Sequence, residues 1–98
     1  MIRVRLHRKV YADVSEIIDY YEALAGPHLA NEFYTELLAS IKKAADQPER
    51  FRFLERDLRR VNLNKFPYHF LFRVTDDSIR VLVVRHHRRH PSFGLERV

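Results

Sequence analysis

The sequence has 98 residues, which corresponds to one domain, expected to span residues 1–98. With 46% hydrophobic residues, 12% aromatic residues and only 2 glycines, the composition supports a folded core and excludes a disordered or low-complexity chain. The longest apolar run, Val81–Val84, is far shorter than the roughly 20 residues that cross a bilayer, and the chain has no cysteine. We therefore expect a soluble, cytoplasmic domain without membrane contact, disulfides or a cysteine metal site.

Basic residues are concentrated in the second half of the chain. Residues 1–48 contain 6 basic and 7 acidic side chains, whereas residues 49–98 contain 12 basic and 6 acidic ones. Four of the 6 histidines also lie between positions 69 and 90. A one-sided basic excess is typical of proteins that bind a polyanion, either nucleic acid or an acidic protein segment. A merely solvated basic face is the alternative that composition leaves open.

The first half of the sequence predicts one strand and two helices. Residues 2–7 alternate apolar and polar side chains, which predicts a half-buried strand. Two stripes of helical spacing follow, separated by Gly26-Pro27, and the second ends at Gln47-Pro48. So short a link predicts an antiparallel helical hairpin. The stripes consist of Val10, Val14, Ile17, Ile18, Tyr21 and Leu24, and of Ala30, Phe33, Tyr34, Leu37, Leu38, Ile41, Ala44 and Ala45.

The second half predicts a loop and three strands. Residues 49–58 have no clear period and are expected to form a loop that places Phe51 and Phe53 against the core. Together the elements predict an α+β fold in the order β-α-α-β-β-β, with an N-terminal strand, a helical hairpin and a three-stranded antiparallel meander. The predicted strands of the meander are residues 60–66, 68–74 and 79–85, with a four-residue turn at 75–78 between the last two.

Alternation along the last two strands separates two faces of the sheet. A four-residue turn places Val74 opposite Ile79 and Phe70 opposite Val83, so one face is apolar and lies under the helices. The other face mixes apolar and cationic side chains, which is typical of a surface that binds a partner. The alternative is that the tail from Ser92 onward folds over it. This mixed face is predicted to contain His69, Leu71, Arg73, Arg80, Leu82, Val84 and His86, with Arg60, Asn62 and Asn64 from the preceding strand.

The densest group of basic and titratable side chains follows the last strand, where residues 85–90 read Arg-His-His-Arg-Arg-His. Arginine binds phosphate in a bidentate manner and histidine titrates near neutral pH, so the run could bind nucleic acid or cleave RNA without a metal. A zinc site at His86 and His90 is disfavoured, because Arg88 and Arg89 lie between them and no carboxylate is near in sequence. We expect no cofactor, since no glycine-rich phosphate loop is present.

The chain resembles toxins of the RelE/ParE superfamily from bacterial type II toxin–antitoxin modules, a class that includes plasmid stabilisation proteins. The resemblance covers nearly the whole chain and implies a helical hairpin on an antiparallel sheet. It also implies a small, acidic cognate antitoxin as partner. The segments that carry it are Tyr11–Val14 with Ile17–Tyr21, Ala30–Phe33 with Leu37 and Ile41, Leu58–Val61, Lys65–Tyr68, Phe72–Val74, Ile79–Val84 and His86–Arg89.

Two mechanisms occur in this superfamily, and the resemblance leaves both open. RelE-like members cleave mRNA in the ribosomal A site without a metal, whereas ParE-like members poison DNA gyrase and are not enzymes. The segment ending in His86-x-x-Arg89 resembles the gyrase-directed branch, which we favour. RelE-like members often have a functional tyrosine near the C-terminus, whereas the last tyrosine here is Tyr68. For a ribonuclease, the implied acid–base and phosphate-binding residues are His69, Arg73, His87 and Arg89.

The remaining site predictions concern binding surfaces. A non-toxic nucleic-acid-binding regulatory domain is a third function that the charge distribution allows. An antitoxin is expected on the mixed face or in the outer groove of the helical hairpin. The residues predicted to contact an antitoxin are Leu71, Arg73, Arg80, Leu82 and Val84. The residues predicted to contact the gyrase, ribosome or nucleic-acid target are Arg60, Lys65, Arg85, His86 and Arg88.

Overall fold

The computed structural model describes residues 2–98, which form a five-stranded sheet with two helices on one face. The predicted α+β order of a strand, a helical hairpin and further strands is confirmed. One short strand occurs within the segment that was expected to be a loop, after a single 3₁₀ turn at Pro48–Arg50. The elements are β1 (Arg3–Leu6), α1 (Val10–Ala25), α2 (Pro27–Asp46), β2 (Phe53–Glu55), β3 (Leu58–Asn62), β4 (Tyr68–Thr75) and β5 (Ser78–His86).

The strands lie in the order β1-β5-β4-β3-β2. Strands β2 to β5 form antiparallel neighbours, as the meander prediction requires, whereas β1 lies parallel to β5. Parallel strands cannot be joined by a tight turn, and the chain between β1 and β5 is accordingly long. The helical hairpin leads from β1 across to β2 at the opposite edge, and β3 and β4 lead back to β5. The hairpin is thereby held across one face of the sheet, and β1 and β2 become the two edges.

The core lies between the helices and the sheet and is rich in aromatic rings. Phe33 of α2, Phe70 and Phe72 are fully buried. Phe33 contacts Phe66 and Tyr68 edge to face, with ring centroids 5.5 and 5.6 Å apart. Such contacts add to the stabilisation from burying apolar area. The loop prediction for Phe53 is wrong, because this ring is exposed on β2.

The helical stripes are wider than the contact they make with the sheet. Leu24, Tyr34 and Leu38 were predicted to face the core, yet all three are exposed. Gly26 ends α1 with φ +84°, and its N–H donates to Glu22 O at 2.9 Å. The hairpin therefore presents apolar side chains outward. Within residues 2–98, neither helix is long and apolar enough to cross a membrane.

An extra residue in β5 changes which side chains share a face. Near the turn the predicted pairing is present, but toward the open end of the β4–β5 hairpin Phe70 lies opposite Val84 rather than Val83. The irregularity is a β-bulge, in which two residues of one strand face one residue of its partner. Because side chains alternate between faces, the shift moves Val84 and His86 to the helix side and Arg85 to the other side.

The C-terminal tail (residues 87–98) folds over the sheet face opposite the helices. Gly94 is buried against Val83, and a Cβ at this glycine would lie 2.6 Å from the Val83 Cβ. Its φ of +85° also favours glycine. The absence of a side chain at this position therefore lets the tail lie directly on β5.

Two arginines of β5 hold the tail by its backbone. Arg85 donates from Nη1 to the carbonyl oxygens of Pro91 and Phe93, at 2.8 and 2.7 Å. Arg80 donates from Nη2 to the oxygen of Val98 at 2.9 Å. These charged donors satisfy carbonyl groups of a tail that has no regular secondary structure of its own.

A buried ion pair ties the end of the tail to the first helix. Arg97 Nη1 lies 2.7 Å from Asp13 Oδ2, and Arg97 Nη2 lies 3.1 Å from Asp13 Oδ1. The same Asp13 oxygen accepts from Val84 N at 3.1 Å, and Arg97 Nη1 also donates to Leu82 O at 2.9 Å. Both charges are thus compensated and hydrogen-bonded, which buried ions require.

We predict that Arg97→Ala lowers the free energy of unfolding by about 3–5 kcal/mol, because it leaves a buried carboxylate without its counter-charge. The matched control is Lys42→Ala, which removes an exposed pair with Asp46 and is expected to cost less than about 1 kcal/mol. Urea denaturation followed by circular dichroism measures both. Equal stability of Arg97→Ala and Lys42→Ala would contradict the role given to the buried pair.

Candidate functional site

Two of the predicted catalytic residues lie side by side at the open end of the β4–β5 hairpin. His69 is buried and His87 is exposed, with their Nδ1 atoms 3.0 Å apart and their rings nearly parallel. Arg85 donates from Nε to His69 Nε2 at 2.9 Å. Arg60 Nη2 lies 3.4 Å from His87 Nδ1. We call these four residues the histidine cluster.

The hydrogen-bond partners assign the tautomers of both rings. An arginine only donates, so His69 Nε2 accepts from Arg85 and the ring hydrogen is on Nδ1. His69 Nδ1 then donates to His87 Nδ1, which leaves the hydrogen of His87 on Nε2. His87 Nδ1 also faces Arg60. The cluster is therefore arranged around two neutral imidazoles.

Burial and neighbouring cations favour the same neutral state. Burial lowers the pKa of His69 to about 3, and the charges of Arg60 and Arg85 add to this effect. The pKa of His87 is also lowered, first by desolvation and then by Arg60 and His86. A general acid at neutral pH needs a pKa near 7. His69 does not meet that condition, and the shift of the His87 pKa is away from it.

The other two predicted catalytic residues lie elsewhere. Arg73 is four residues from His69 along β4, about 13 Å at the usual rise of a strand. Its Nε is 3.0 Å from Asp57 Oδ2. The Arg89 guanidinium carbon lies 3.9 Å above the ring centroid of Phe93. The structure thus brings His69 and His87 together but leaves Arg73 and Arg89 outside the histidine cluster.

Arg89 instead borders a cleft between α1 and the turn after β5. This cleft has a volume of about 230 Å³ and is also lined by Glu16, Tyr20 and His86. Neither Glu16 nor Tyr20 was predicted from sequence as a site residue, although their spacing of four places them on one side of a helix. Among residues 2–98, no three His, Asp or Glu side chains are grouped closely enough to hold a metal ion.

The face predicted to bind the antitoxin is covered. Leu71 and Leu82 are 0% exposed. Val84 is buried as well and belongs to the core under the helices, because of the bulge. The prediction of an open mixed face is therefore wrong for these three residues, and the alternative of a covering tail is correct. Arg73 and Arg80 remain half-buried, Arg80 bound to the end of the tail.

The residues predicted to contact a target are spread over separate places. Arg85 is buried and holds the tail, so the prediction that it faces a target is wrong. Arg60 belongs to the histidine cluster, and His86 borders the cleft with its ring 5.1 Å from that of Tyr68. Arg88 is exposed on the turn after β5. Lys65 lies apart, beside a groove along α2.

The outer side of the helical hairpin has an apolar groove of about 260 Å³. Its lining includes Tyr11 and Ile18 from α1 and Tyr34 and Leu38 from α2. Tyr11 is 66% exposed and Leu38 is 49% exposed. Aromatic and aliphatic side chains exposed together in a groove are typical of a protein-binding surface. We call this feature the hairpin groove.

Comparison with known proteins identifies the family. Residues 4–91 match the family model described as the ParE toxin of the type II toxin–antitoxin system parDE. The chain belongs to the ParE toxin family. The resemblance to the RelE/ParE superfamily is thereby confirmed. This ParE-family chain is 33% identical over 91 residues to Toxin ParE2 of Mycobacterium tuberculosis. The match is the same for strains CDC 1551 / Oshkosh and ATCC 25618 / H37Rv, and it covers 92% of this chain and 86% of the relative.

A solved structure shares the fold of this ParE-family chain. It is a chain of the chromosomal ParDE toxin–antitoxin system from P. aeruginosa, with a TM-score of 0.78 and 24% sequence identity. The match covers 88% of this chain and 96% of the other one. The predicted fold, a strand and helical hairpin followed by an antiparallel meander, is thus that of a known ParDE structure.

We predict that His69 keeps the NMR signals of a neutral imidazole from about pH 8 to about pH 5, whereas His87 titrates below the ordinary value of 6.5. Arg60→Gln is expected to raise the pKa of His87, because it removes the neighbouring cation. Arg3→Gln, on exposed β1, is the control and leaves that pKa unchanged. Protonation of His69 near 6.5 would contradict the buried, neutral state given to this ring.

The same pKa shift predicts how stability depends on pH. The unfolded chain binds a proton at His69 near pH 6.5, whereas the folded chain does so only near pH 3. Between these values the unfolded state binds more protons, so stability falls as the pH is lowered. Urea denaturation at several pH values is expected to show this loss, and His69→Gln is expected to reduce the slope. An unchanged slope in this variant would assign the pH dependence to other groups.

Proposed function

We propose that this ParE-family toxin inhibits growth by binding DNA gyrase, without cleaving RNA, and that a cognate antitoxin neutralises it. The observation that carries the proposal is the state of the histidine cluster. His69 is buried with a pKa of about 3, and both of its nitrogens are occupied by Arg85 and His87. This arrangement supports a structural role for the pair rather than proton transfer.

The surroundings of the cluster also argue against ribonuclease chemistry there. RNA cleavage without a metal needs a base for the 2′-OH, an acid for the leaving oxygen and a cation on the phosphate. Arg73 is paired with Asp57, and Arg89 stacks on Phe93. Tyr68 is buried against Tyr21 and Phe33 of the two helices. The residues that the ribonuclease interpretation requires are therefore not assembled in one place.

A RelE-like ribonuclease is the second candidate, and one observation favours it. The cleft beside α1 brings a carboxylate, a phenol, an imidazole and a guanidinium together, from Glu16, Tyr20, His86 and Arg89. These are groups that acid–base chemistry on RNA could use. In that case the site would lie on the helix side of β5 and not at the histidine cluster.

The test is the order in which macromolecular synthesis stops after tightly induced expression. We predict that thymidine incorporation falls first and leucine incorporation continues, because a gyrase poison blocks replication. Purified toxin is then expected to inhibit supercoiling of relaxed plasmid by gyrase. Early loss of leucine incorporation, abolished by Glu16→Gln and His86→Gln and retained in His69→Gln, would favour the ribonuclease and overturn the gyrase proposal.

We further propose that the antitoxin docks in the hairpin groove. The mixed face of the sheet is covered by the toxin's own tail, whereas the groove exposes Tyr11, Tyr34 and Leu38. The exposed edge strand β1 carries Arg3 and Arg5. An apolar groove with cations on the neighbouring strand is complementary to an amphipathic segment with acidic side chains, which folds as it binds.

We predict that Leu38→Glu weakens antitoxin binding at least tenfold, about 1.4 kcal/mol, since it places a carboxylate in the apolar groove. Leu24→Glu is the matched control, because Leu24 is an exposed leucine of the same hairpin that does not line the groove. Titration calorimetry with the cognate antitoxin measures both affinities. If both variants bind like the unmodified toxin, the antitoxin docks elsewhere.

A further inference from the structure

We propose that the surface around β2 binds single-stranded nucleic acid, a property beyond the gyrase and antitoxin contacts proposed above. This β2 surface is an open groove of about 540 Å³ at the sheet edge farthest from β1. It lies apart from both the hairpin groove and the cleft beside α1. The residues that carry the proposal are Arg50, Arg52, Phe53, Leu54, Arg60 and Asn62.

The charge of this segment is strongly positive. Residues 50–60 contain five arginines but only two acidic residues, Glu55 and Asp57. Asp57 is bound to Arg73, with Nε and Oδ2 3.0 Å apart, which neutralises part of the acidic charge. Arg50 and Arg52 are exposed along the groove. A row of arginines beside a groove is suited to follow a phosphate backbone.

The second feature is an aromatic ring that the fold leaves exposed. Phe53 is 56% exposed and Leu54 is 42% exposed, although both lie on a strand. The Arg59 guanidinium carbon lies 3.9 Å from the Phe53 ring centroid, and Arg59 is fixed by donating to Phe51 O at 2.8 Å. A ring backed by a guanidinium is a stacking platform for a nucleobase.

The shape of β2 favours nucleic acid over an acidic peptide that adds a strand. Such a peptide needs a regular edge with several free backbone groups. β2 has only three residues, and its pairing with β3 is irregular between Phe53 and Glu55. A short, irregular edge is a poor template for another strand. A single strand of nucleic acid needs no such edge, because its bases stack on side chains.

Arg60 connects the β2 surface to the histidine cluster. It lines the groove, donates from Nε to Asn62 Oδ1 at 2.7 Å and lies 3.4 Å from His87 Nδ1. The tautomer assigned above leaves the Nε2–H of His87 as a donor, and Arg88 follows on the exposed turn. A nucleic-acid strand that leaves the groove past Arg60 would meet further donors for its phosphates.

The experiment measures binding of a fluorescent twelve-nucleotide oligothymidylate to the 98-residue toxin by anisotropy at several salt concentrations. We expect Phe53→Ala to weaken binding at least about tenfold, as for the loss of one stacked base. Arg52→Ala is expected to weaken binding and to reduce the slope of log affinity against log salt by about 0.7. Both residues are exposed, and circular dichroism checks that the variants are folded.

The controls distinguish binding at the β2 surface from non-specific attraction of nucleic acid to the basic protein. Tyr11→Ala removes an exposed ring in the hairpin groove, and Arg3→Ala removes an exposed cation on β1; both are expected to bind like the unmodified toxin. Equal losses in Arg3→Ala and Arg52→Ala would overturn the proposal, as would binding unaffected by Phe53→Ala. Equal affinity for a polyglutamate peptide would assign the surface to an acidic protein instead. The assay contains neither gyrase nor antitoxin, so its outcome is independent of the proposed function.

Discussion

The buried pair of Asp13 and Arg97 holds three parts of the molecule together: helix α1, the exposed edge of β5 and the end of the tail. Strand β1 ends at Leu6, and the last backbone hydrogen bond between this segment and β5 is donated by His7 N to Val81 O. Beyond that point the edge of β5 has no strand beside it. The carboxylate accepts from Val84 N and the guanidinium donates to Leu82 O, so the ion pair takes over the hydrogen bonds that a neighbouring strand would supply.

The path of the tail decides which surfaces the toxin can offer to partners. Because the tail lies on β5, the sheet face opposite the helices no longer exposes its leucines. Two groups of exposed apolar side chains lie apart from this face, one with Tyr11, Tyr34 and Leu38 on the outer side of the hairpin and one with Phe53 and Leu54 on the edge strand β2. Two partners could therefore bind at the same time without sharing contacts. The histidine cluster stabilises the boundary between the tail and the sheet, through the bonds that Arg85 makes to both.

The elements were predictable from sequence because helices and hairpins follow local periodicity. The bulge was not, since a single extra residue in β5 leaves the apolar run Val81–Val84 looking the same in either register. Burial of the tail depends on partners far away in sequence, such as Asp13 for Arg97, which no local pattern reveals. His69 lies on β4 and His87 directly follows β5, so the pairing of these two strands brings the rings together. Their neutral state depends on how deeply the fold buries His69. Strand β2 was missed because three residues are too few to show alternation.

The order of synthesis gives the tail a further consequence. Asp13 is made early, whereas Arg97 follows 84 positions later. Until Arg97 has been made, the carboxylate of α1 has no counter-charge, and the leucines of the sheet have no cover. The ion pair can therefore form only after every helix and strand has been synthesised. Helix α1 and the open edge of β5 thus gain their last shared contact at a late stage of folding during translation.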